Sequence, residues 1–150
     1  MEKVINIIVD ASGSMAEDDK NAVVKYMLNG ICNASRTDYF ANIGFDLFQW
    51  GKVTKRIENM EKAKIEFSGK SNVNGLEILN DLLGDQESIV LISDGNMEPA
   101  EKQKLKSMGK RIIPIYVGID ANRSVLQEVS TNKVVYSVMD FMQALSDALI

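Results

Sequence analysis

One short stretch decides the fold of this chain: residues 4–14 read VINIIVDASGS. Its first six residues, Val4–Val9, form a mostly β-branched run, which is typical of a strand buried on both faces of a sheet. Asp10 and a Ser/Gly segment end the run. The same pattern returns at Ser88–Ser93, which is followed by Asp94. The sequence therefore predicts two buried strands, each ending in an aspartate.

The rest of the chain alternates strand and helix patterns, which favours a mostly parallel sheet covered by helices on both faces. Only Gly51 and Lys52 separate two apolar runs, so those strands pair antiparallel as a hairpin. We expect a doubly wound, Rossmann-like α/β fold with six strands and one antiparallel edge strand. The predicted strands are 4–9, 43–50, 53–57, 88–93, 112–117 and 134–136. Five helices are predicted. The first begins near Asp18 and Asp19, and the next two span 76–83 and 99–108. The fourth includes 125–129, with Asp120 as its N-cap, and the last spans 139–149.

Composition narrows the class of protein. The length of 150 residues, with 45% hydrophobic and 25% charged side chains, predicts a single domain over residues 1–150. The net charge of −4 argues against a nucleic-acid partner. Cys32 is the single cysteine, and no export signal or membrane-spanning run is visible. We expect a monomer in the reducing cytoplasm, without contact to a membrane.

Three polar segments follow predicted elements: residues 10–14, 69–72 and 93–95. If strands one and four are neighbours, their final aspartates, Asp10 and Asp94, face each other across one crevice. Two close carboxylates repel unless a proton or a cation lies between them. The hydroxyls of Ser12, Ser14 and Ser71 converge on the same place. Such oxygen ligands suit Mg²⁺, with Mn²⁺ or Ca²⁺ as alternatives, and the absence of histidine disfavours zinc.

These segments resemble the motifs of the von Willebrand factor A (vWA) domain family. Residues 10–14, DASGS, are similar to the Asp-x-Ser-x-Ser motif of its metal-ion-dependent adhesion site, and residues 93–95 to its Thr/Ser-Asp-Gly motif. The resemblance implies that Ser12, Ser14 and Ser71 bind the cation directly, while Asp10 and Asp94 act largely through water. It also implies an open coordination position for a Glu or Asp of a partner protein, and no catalysed reaction.

The third segment, Gly69-Lys70-Ser71-Asn72, departs from the family's Gly-Gly-Thr-Asn loop at two positions. Ser71 keeps the hydroxyl of the usual threonine but lacks its methyl group. Lys70 replaces a glycine, and its ammonium either competes with the metal or, as we favour, points to solvent. Candidate partner contacts rim the site at Lys70, Asn72, Asn96, Met97 and Glu98.

Three other interpretations stay open. Asp10, Ser12 and Ser14 could serve as an N-cap and turn that lead into the first helix. The chain could be a structural interaction domain without metal. Finally, Asp10 could be the phosphate-accepting nucleophile of an Mg²⁺-dependent phosphoryl-transfer enzyme. The enzyme is disfavoured, because the chain has no histidine to act as base and no GxxxxGK[ST] phosphate loop.

Overall fold

The computed structural model describes residues 3–150, which form a five-stranded sheet flanked by five α-helices and three short 3₁₀ turns. The strands are β1 (Lys3–Asp10), β2 (Ile43–Trp50), β3 (Lys55–Ile57), β4 (Ser88–Ser93) and β5 (Arg111–Tyr116). The helices are α1 (Lys20–Ser35), α2 (Val73–Leu83), α3 (Pro99–Ser107), α4 (Arg123–Val129) and α5 (Phe141–Ala148).

The strand order is β3-β2-β1-β4-β5, with β1 at the centre. Among the described strands, only the β2–β3 pair is antiparallel, as the predicted hairpin requires. Because the chain continues from β1 to β2 on one side and later places β4 on the other, the strand order reverses between β1 and β4. The carboxyl ends of these two strands therefore flank the point where α/β sheets bind ligands.

Each face of the sheet carries its own apolar core. Alternate residues of β1 divide between them, so that Ile7 and Val9 belong to one core and Ile8 to the other. The first core includes Met27 of α1 and Leu145 of α5, and the second includes side chains of α2, α3 and α4. This two-sided burial explains why residues 4–9 of β1 are apolar at every position except Asn6. Within residues 3–150, no helix is long and apolar enough to cross a membrane.

The predicted sixth strand at 134–136 is wrong. This segment makes only an isolated parallel bridge, Ile115↔Tyr136, beside β5. On the edge of β5 that faces residues 134–136, the Ile112 amide donates to the Thr131 hydroxyl at 2.8 Å, and the Tyr116 amide donates to the Tyr136 carbonyl at 2.9 Å. Pro114 lies between these two donors and has no N–H, so the ladder is interrupted.

The hairpin turn is also longer than expected. β3 begins at Lys55, not at Val53, because the turn continues through Thr54. The Gln49 side-chain amide donates to the Val53 carbonyl at 2.6 Å, and this bond holds the chain in the turn where pairing would otherwise begin. At the other end of the chain, α5 starts at Phe141, two residues after the predicted start at 139.

Candidate metal site

The site lies where β1 and β4 end side by side. These strands pair in parallel from Asn6↔Ile89 to Val9↔Ile92, which brings Asp10 to the same edge of the sheet as residues 93–95. The loop before α2 joins them through the Gly13 amide, which donates to the Gly69 carbonyl at 2.9 Å. The structure thus brings the three polar segments together, as the sequence predicted.

Asp10 is the most buried carboxyl of the site, with 1% of its surface exposed. Its Oδ1 accepts hydrogen bonds from the Ser71 hydroxyl at 2.7 Å and the Ser12 amide at 3.1 Å. Its Oδ2 accepts one from the Ser93 hydroxyl at 2.7 Å. Burial raises the pKa of Asp10 above its ordinary value of 3.8, and the hydrogen bonds from Ser93, Ser71 and Ser12 oppose that rise only in part.

The Ser71 hydroxyl shows how a proton on Asp10 would be accommodated. Its oxygen lies 2.7 Å from Asp10 Oδ1 and 2.7 Å from the Trp50 carbonyl. A hydroxyl has one proton, so beside an ionised Asp10 it can donate fully to only one of these acceptors. A protonated Asp10 would donate to Ser71 and leave the Ser71 proton for Trp50. Both short contacts are hydrogen bonds in that state.

The hydroxyls of Ser12 and Ser14 supply a pair of oxygens suited to a hard cation. Their Oγ atoms are 3.2 Å apart, close to the edge of about 3 Å in an octahedron whose Mg–O distances are about 2.1 Å. Within residues 3–150, no group of three or more His, Cys, Asp or Glu side chains could hold a metal. A cation here would therefore depend on hydroxyl ligands beside Asp10. The donor chemistry fits Mg²⁺ or Mn²⁺.

Asp94 pairs with a buried lysine, Lys20, which lies outside the three predicted polar segments. The Lys20 ammonium lies 3.1 Å from Asp94 Oδ2, 2.9 Å from Asp120 Oδ1 and 3.3 Å from the Ser14 carbonyl oxygen. Asp94 Oδ1 accepts a hydrogen bond from the Asn96 amide at 3.0 Å. Desolvation lowers the pKa of Lys20, but the hydrogen bonds and charges of Asp120 and Asp94 outweigh it, so the pKa is raised.

The Asp120 finding corrects a prediction. Asp120 does not cap the helix that contains Val125; Asn122 does, since its side-chain oxygen accepts a hydrogen bond from the Val125 amide at 3.3 Å. Asp120 lies on the exposed loop after β5 and pairs with Lys20. Ser93 lies in the predicted segment 93–95 but has no predicted ligand role; its hydroxyl donates to Asp10 and accepts a hydrogen bond from the Gly95 amide at 2.9 Å.

A signal for Lys20 was present in the sequence. Lys20 continues the buried face of α1, on which Val24, Met27 and Ile31 follow at helical spacing. It also lies in the first turn, where the helix dipole disfavours a cation. A lysine on an apolar stripe at the positive end of a helix needs anionic partners. The sequence does not tell which ones.

The predicted rim lies at the surface around the site. Lys70 is exposed, which is compatible with the predicted solvent-facing side chain. Asn72 caps α2, because its side-chain oxygen accepts a hydrogen bond from the Gly75 amide at 2.8 Å. Asn96 and Glu98 are exposed, while Met97 is partly buried against the second core.

Several solved structures have a fold similar to that of this chain. The chain is similar to an aerotolerance-related membrane protein from Bacteroides fragilis, with a TM-score of 0.70 and 14% identity over 98% of each chain. It is also similar to BatB from Bacteroides thetaiotaomicron, with a TM-score of 0.69 and 13% identity over 97% of this chain and 98% of that one. The manganese-loaded TRAP protein of Plasmodium vivax has a TM-score of 0.72 and 15% identity over 99% of this chain and 73% of its own.

At these identities the likeness shows the fold alone, and the doubly wound, Rossmann-like α/β architecture is confirmed. No sequence profile of a known family and no curated protein matches the chain.

Proposed function

We propose that the chain is a cytoplasmic, non-enzymatic module that binds a protein partner through a divalent cation. The observation that carries the proposal is the cluster at the ends of β1 and β4, where the Ser71 hydroxyl lies 2.7 Å from Asp10, the Ser12 and Ser14 hydroxyls lie 3.2 Å apart, and Asp94 follows β4. The manganese-loaded TRAP protein supports it as a structural neighbour that holds a divalent cation. The single cysteine supports a reducing compartment.

In this proposal Ser12, Ser14 and Ser71 hold the cation through their hydroxyl oxygens, and Asp10 and Asp94 support it through water. The cation would supply a positive charge that attracts a Glu or Asp side chain of the partner. Because hydroxyl ligands are neutral, they leave that charge available to an incoming anion. Asp94 is already paired with Lys20, which keeps one carboxylate from neutralising the cation directly.

The geometry of Asp10 argues against the phosphoryl-transfer alternative. An aspartyl nucleophile needs an accessible oxygen aimed at the phosphorus atom. Asp10 is 1% exposed, and both of its oxygens accept hydrogen bonds from serine hydroxyls. A carboxyl held in this way orients its neighbours, which suits support of a ligand set better than attack on a substrate.

Thermal melting of the chelator-stripped protein with added Mg²⁺, Mn²⁺ or Ca²⁺ tests the site. A cation at about 100 times its Kd should stabilise the fold by about 2.7 kcal/mol, which is several degrees for a chain of this length. Ser12→Ala removes one candidate hydroxyl ligand, which lies 3.2 Å from the Ser14 hydroxyl and also interacts with Asp10. It should abolish the shift, whereas Ser107→Ala, an exposed serine of α3, should keep it.

Partner binding is tested by pull-down in Mg²⁺ and in EDTA. The proposal expects capture of a protein that is lost in EDTA and lost with Ser12→Ala, and that is weakened when the acidic residue of that partner is neutralised. Capture that survives both EDTA and Ser12→Ala would contradict the metal-dependent mechanism.

A second candidate is an interaction domain that works without metal, and Lys20 is the observation that favours it. Asp94 has its counter-ion within the protein, and every buried side-chain nitrogen or oxygen of the described residues has a hydrogen-bond partner. The fold therefore does not require a cation. Partner capture insensitive to EDTA would select this candidate.

A further inference from the structure

Lys20 is a cation built into the edge of the candidate metal site. Its side chain is 2% exposed, and its ammonium contacts Asp94, Asp120 and the carbonyl oxygen of Ser14. Ser14 and Asp94 are both members of the candidate ligand set. The ammonium therefore lies in the region whose negative potential a divalent cation would use.

The surrounding backbone is shaped to seat this lysine. Gly118 has a φ of +95°, and a Cβ atom there would lie 2.6 Å from Lys20 Cε and 2.9 Å from Asp120 Oδ1. A side chain at this position would displace both partners. On the other side, Asp18 and Asp19 both adopt left-handed backbone conformations, with φ of 51° and 62°, directly before Lys20. Such conformations cost energy in non-glycine residues and persist only where the surrounding structure holds them.

We propose that Lys20 sets the affinity and the charge of the metal site by acting as a tethered competitor for Asp94. This inference rests on the proposed function, since it assumes that Ser12, Ser14 and Ser71 can hold a cation. While Lys20 pairs with Asp94, the charge of that carboxylate is compensated within the protein. A bound cation then gains less from Asp94 and keeps more of its attraction for the carboxylate of a partner. Lys20 is a positioning residue in this scheme, because it acts through Asp94.

The test is calorimetric titration of Mg²⁺ and Mn²⁺ into chelator-stripped protein. Lys20→Met removes the charge and keeps an unbranched apolar side chain. Lys25→Met is the matched control, with the same change of net charge at an exposed position of the same helix. We expect Lys20→Met to bind the cation about tenfold tighter or more, because charges a few ångströms apart are only partly screened inside a protein. The cation affinity of Lys25→Met should stay within about twofold of the parent affinity.

Asp120→Asn provides an independent arm if Lys20→Met does not fold. The Asp120 side chain is 55% exposed, so its replacement should leave the fold intact. Lys20 would then have one carboxylate fewer, and the remaining positive charge should weaken cation binding by about threefold or more. Circular dichroism spectra confirm that each variant is folded before its titration is interpreted.

The outcomes separate the inference from the proposed function. Equal affinity in the parent and Lys20→Met, or an equal gain in Lys25→Met, overturns the role of Lys20 and leaves the metal site intact. Binding only in Lys20→Met supports Lys20 as the competitor and rejects metal dependence of the native chain. Absence of binding in both folded proteins at millimolar cation rejects both. With Asp120→Asn as the only folded variant, unchanged affinity overturns the inference.

Discussion

The ion pair between Lys20 and Asp94 should be one of the largest electrostatic contributions to the stability of the metal-free protein. The two charged groups are 3.1 Å apart, and their side chains are 2% and 3% exposed. Replacing Lys20 by Met leaves the Asp94 charge buried without its partner, and breaking a buried pair in this way costs about 3–5 kcal/mol. The second partner, Asp120, adds little because its side chain is 55% exposed and screened by solvent.

This loss can be measured by urea unfolding in the presence of EDTA at neutral pH, followed by circular dichroism. A domain of this kind is stable by about 5–15 kcal/mol in total, so Lys20→Met should unfold at a clearly lower urea concentration. The melting temperature should fall by roughly 10 °C. Lys25→Met changes an exposed lysine of α1, and its free energy of unfolding should stay within about 0.5 kcal/mol of the parent value.

A double variant shows whether the unpaired Asp94 carboxylate causes the loss of stability in Lys20→Met. Lys20→Met combined with Asp94→Asn removes both charges, so it should recover a large part of the stability lost in Lys20→Met alone. The reasoning is refuted if the free energy of unfolding of Lys20→Met is within about 1 kcal/mol of the parent value. It is also refuted if the double variant is no more stable than the single one, because Asp94 would then not be the group that Lys20 neutralises.

Two further perturbations test the site and its loop. Because the pKa of Asp10 is raised above 3.8 in the folded chain, the native state keeps a proton that the unfolded state loses, so metal-free stability should fall as pH rises from about 4 through the folded pKa. Asp10→Asn should remove that decline in urea unfolding measured from pH 4 to 7 with EDTA, and parallel pH profiles would contradict it. Gly95→Ala should destabilise the fold by more than Gly109→Ala, although φ is +76° and +70° at these glycines. A Cβ at Gly95 would lie 2.4 Å from the Asn122 carbonyl oxygen, whereas a Cβ at Gly109 would meet no atom of residues 3–150 within 4 Å. Gly109→Ala should therefore cost about 1–2 kcal/mol from the backbone alone, and equal losses of melting temperature would refute the clash.

Much of the fold could be predicted because it depends on patterns of neighbouring residues. The β-branched runs that became β1 and β4 are apolar on both faces, and Gly84 ends α2 where the helical spacing stops. The missing sixth strand depended instead on which edge of β5 faces residues 134–136. Pro114 is visible in the sequence, but its effect on that edge requires knowing which amides point outward.

The sequence by itself determined the polar segments at the strand ends and the hydroxyl and carboxylate chemistry of the site, because each motif is a few consecutive residues. Only the tertiary structure decided how the charges are compensated. Lys20 meets Asp94 across 74 residues of chain and Asp120 across 100. No local pattern specifies such pairs, since a buried charge takes whichever opposite charge the packed helices and loops bring within about 3 Å. The physical reason is that motifs are local, while the neutralisation of buried charge is a property of the whole packed molecule.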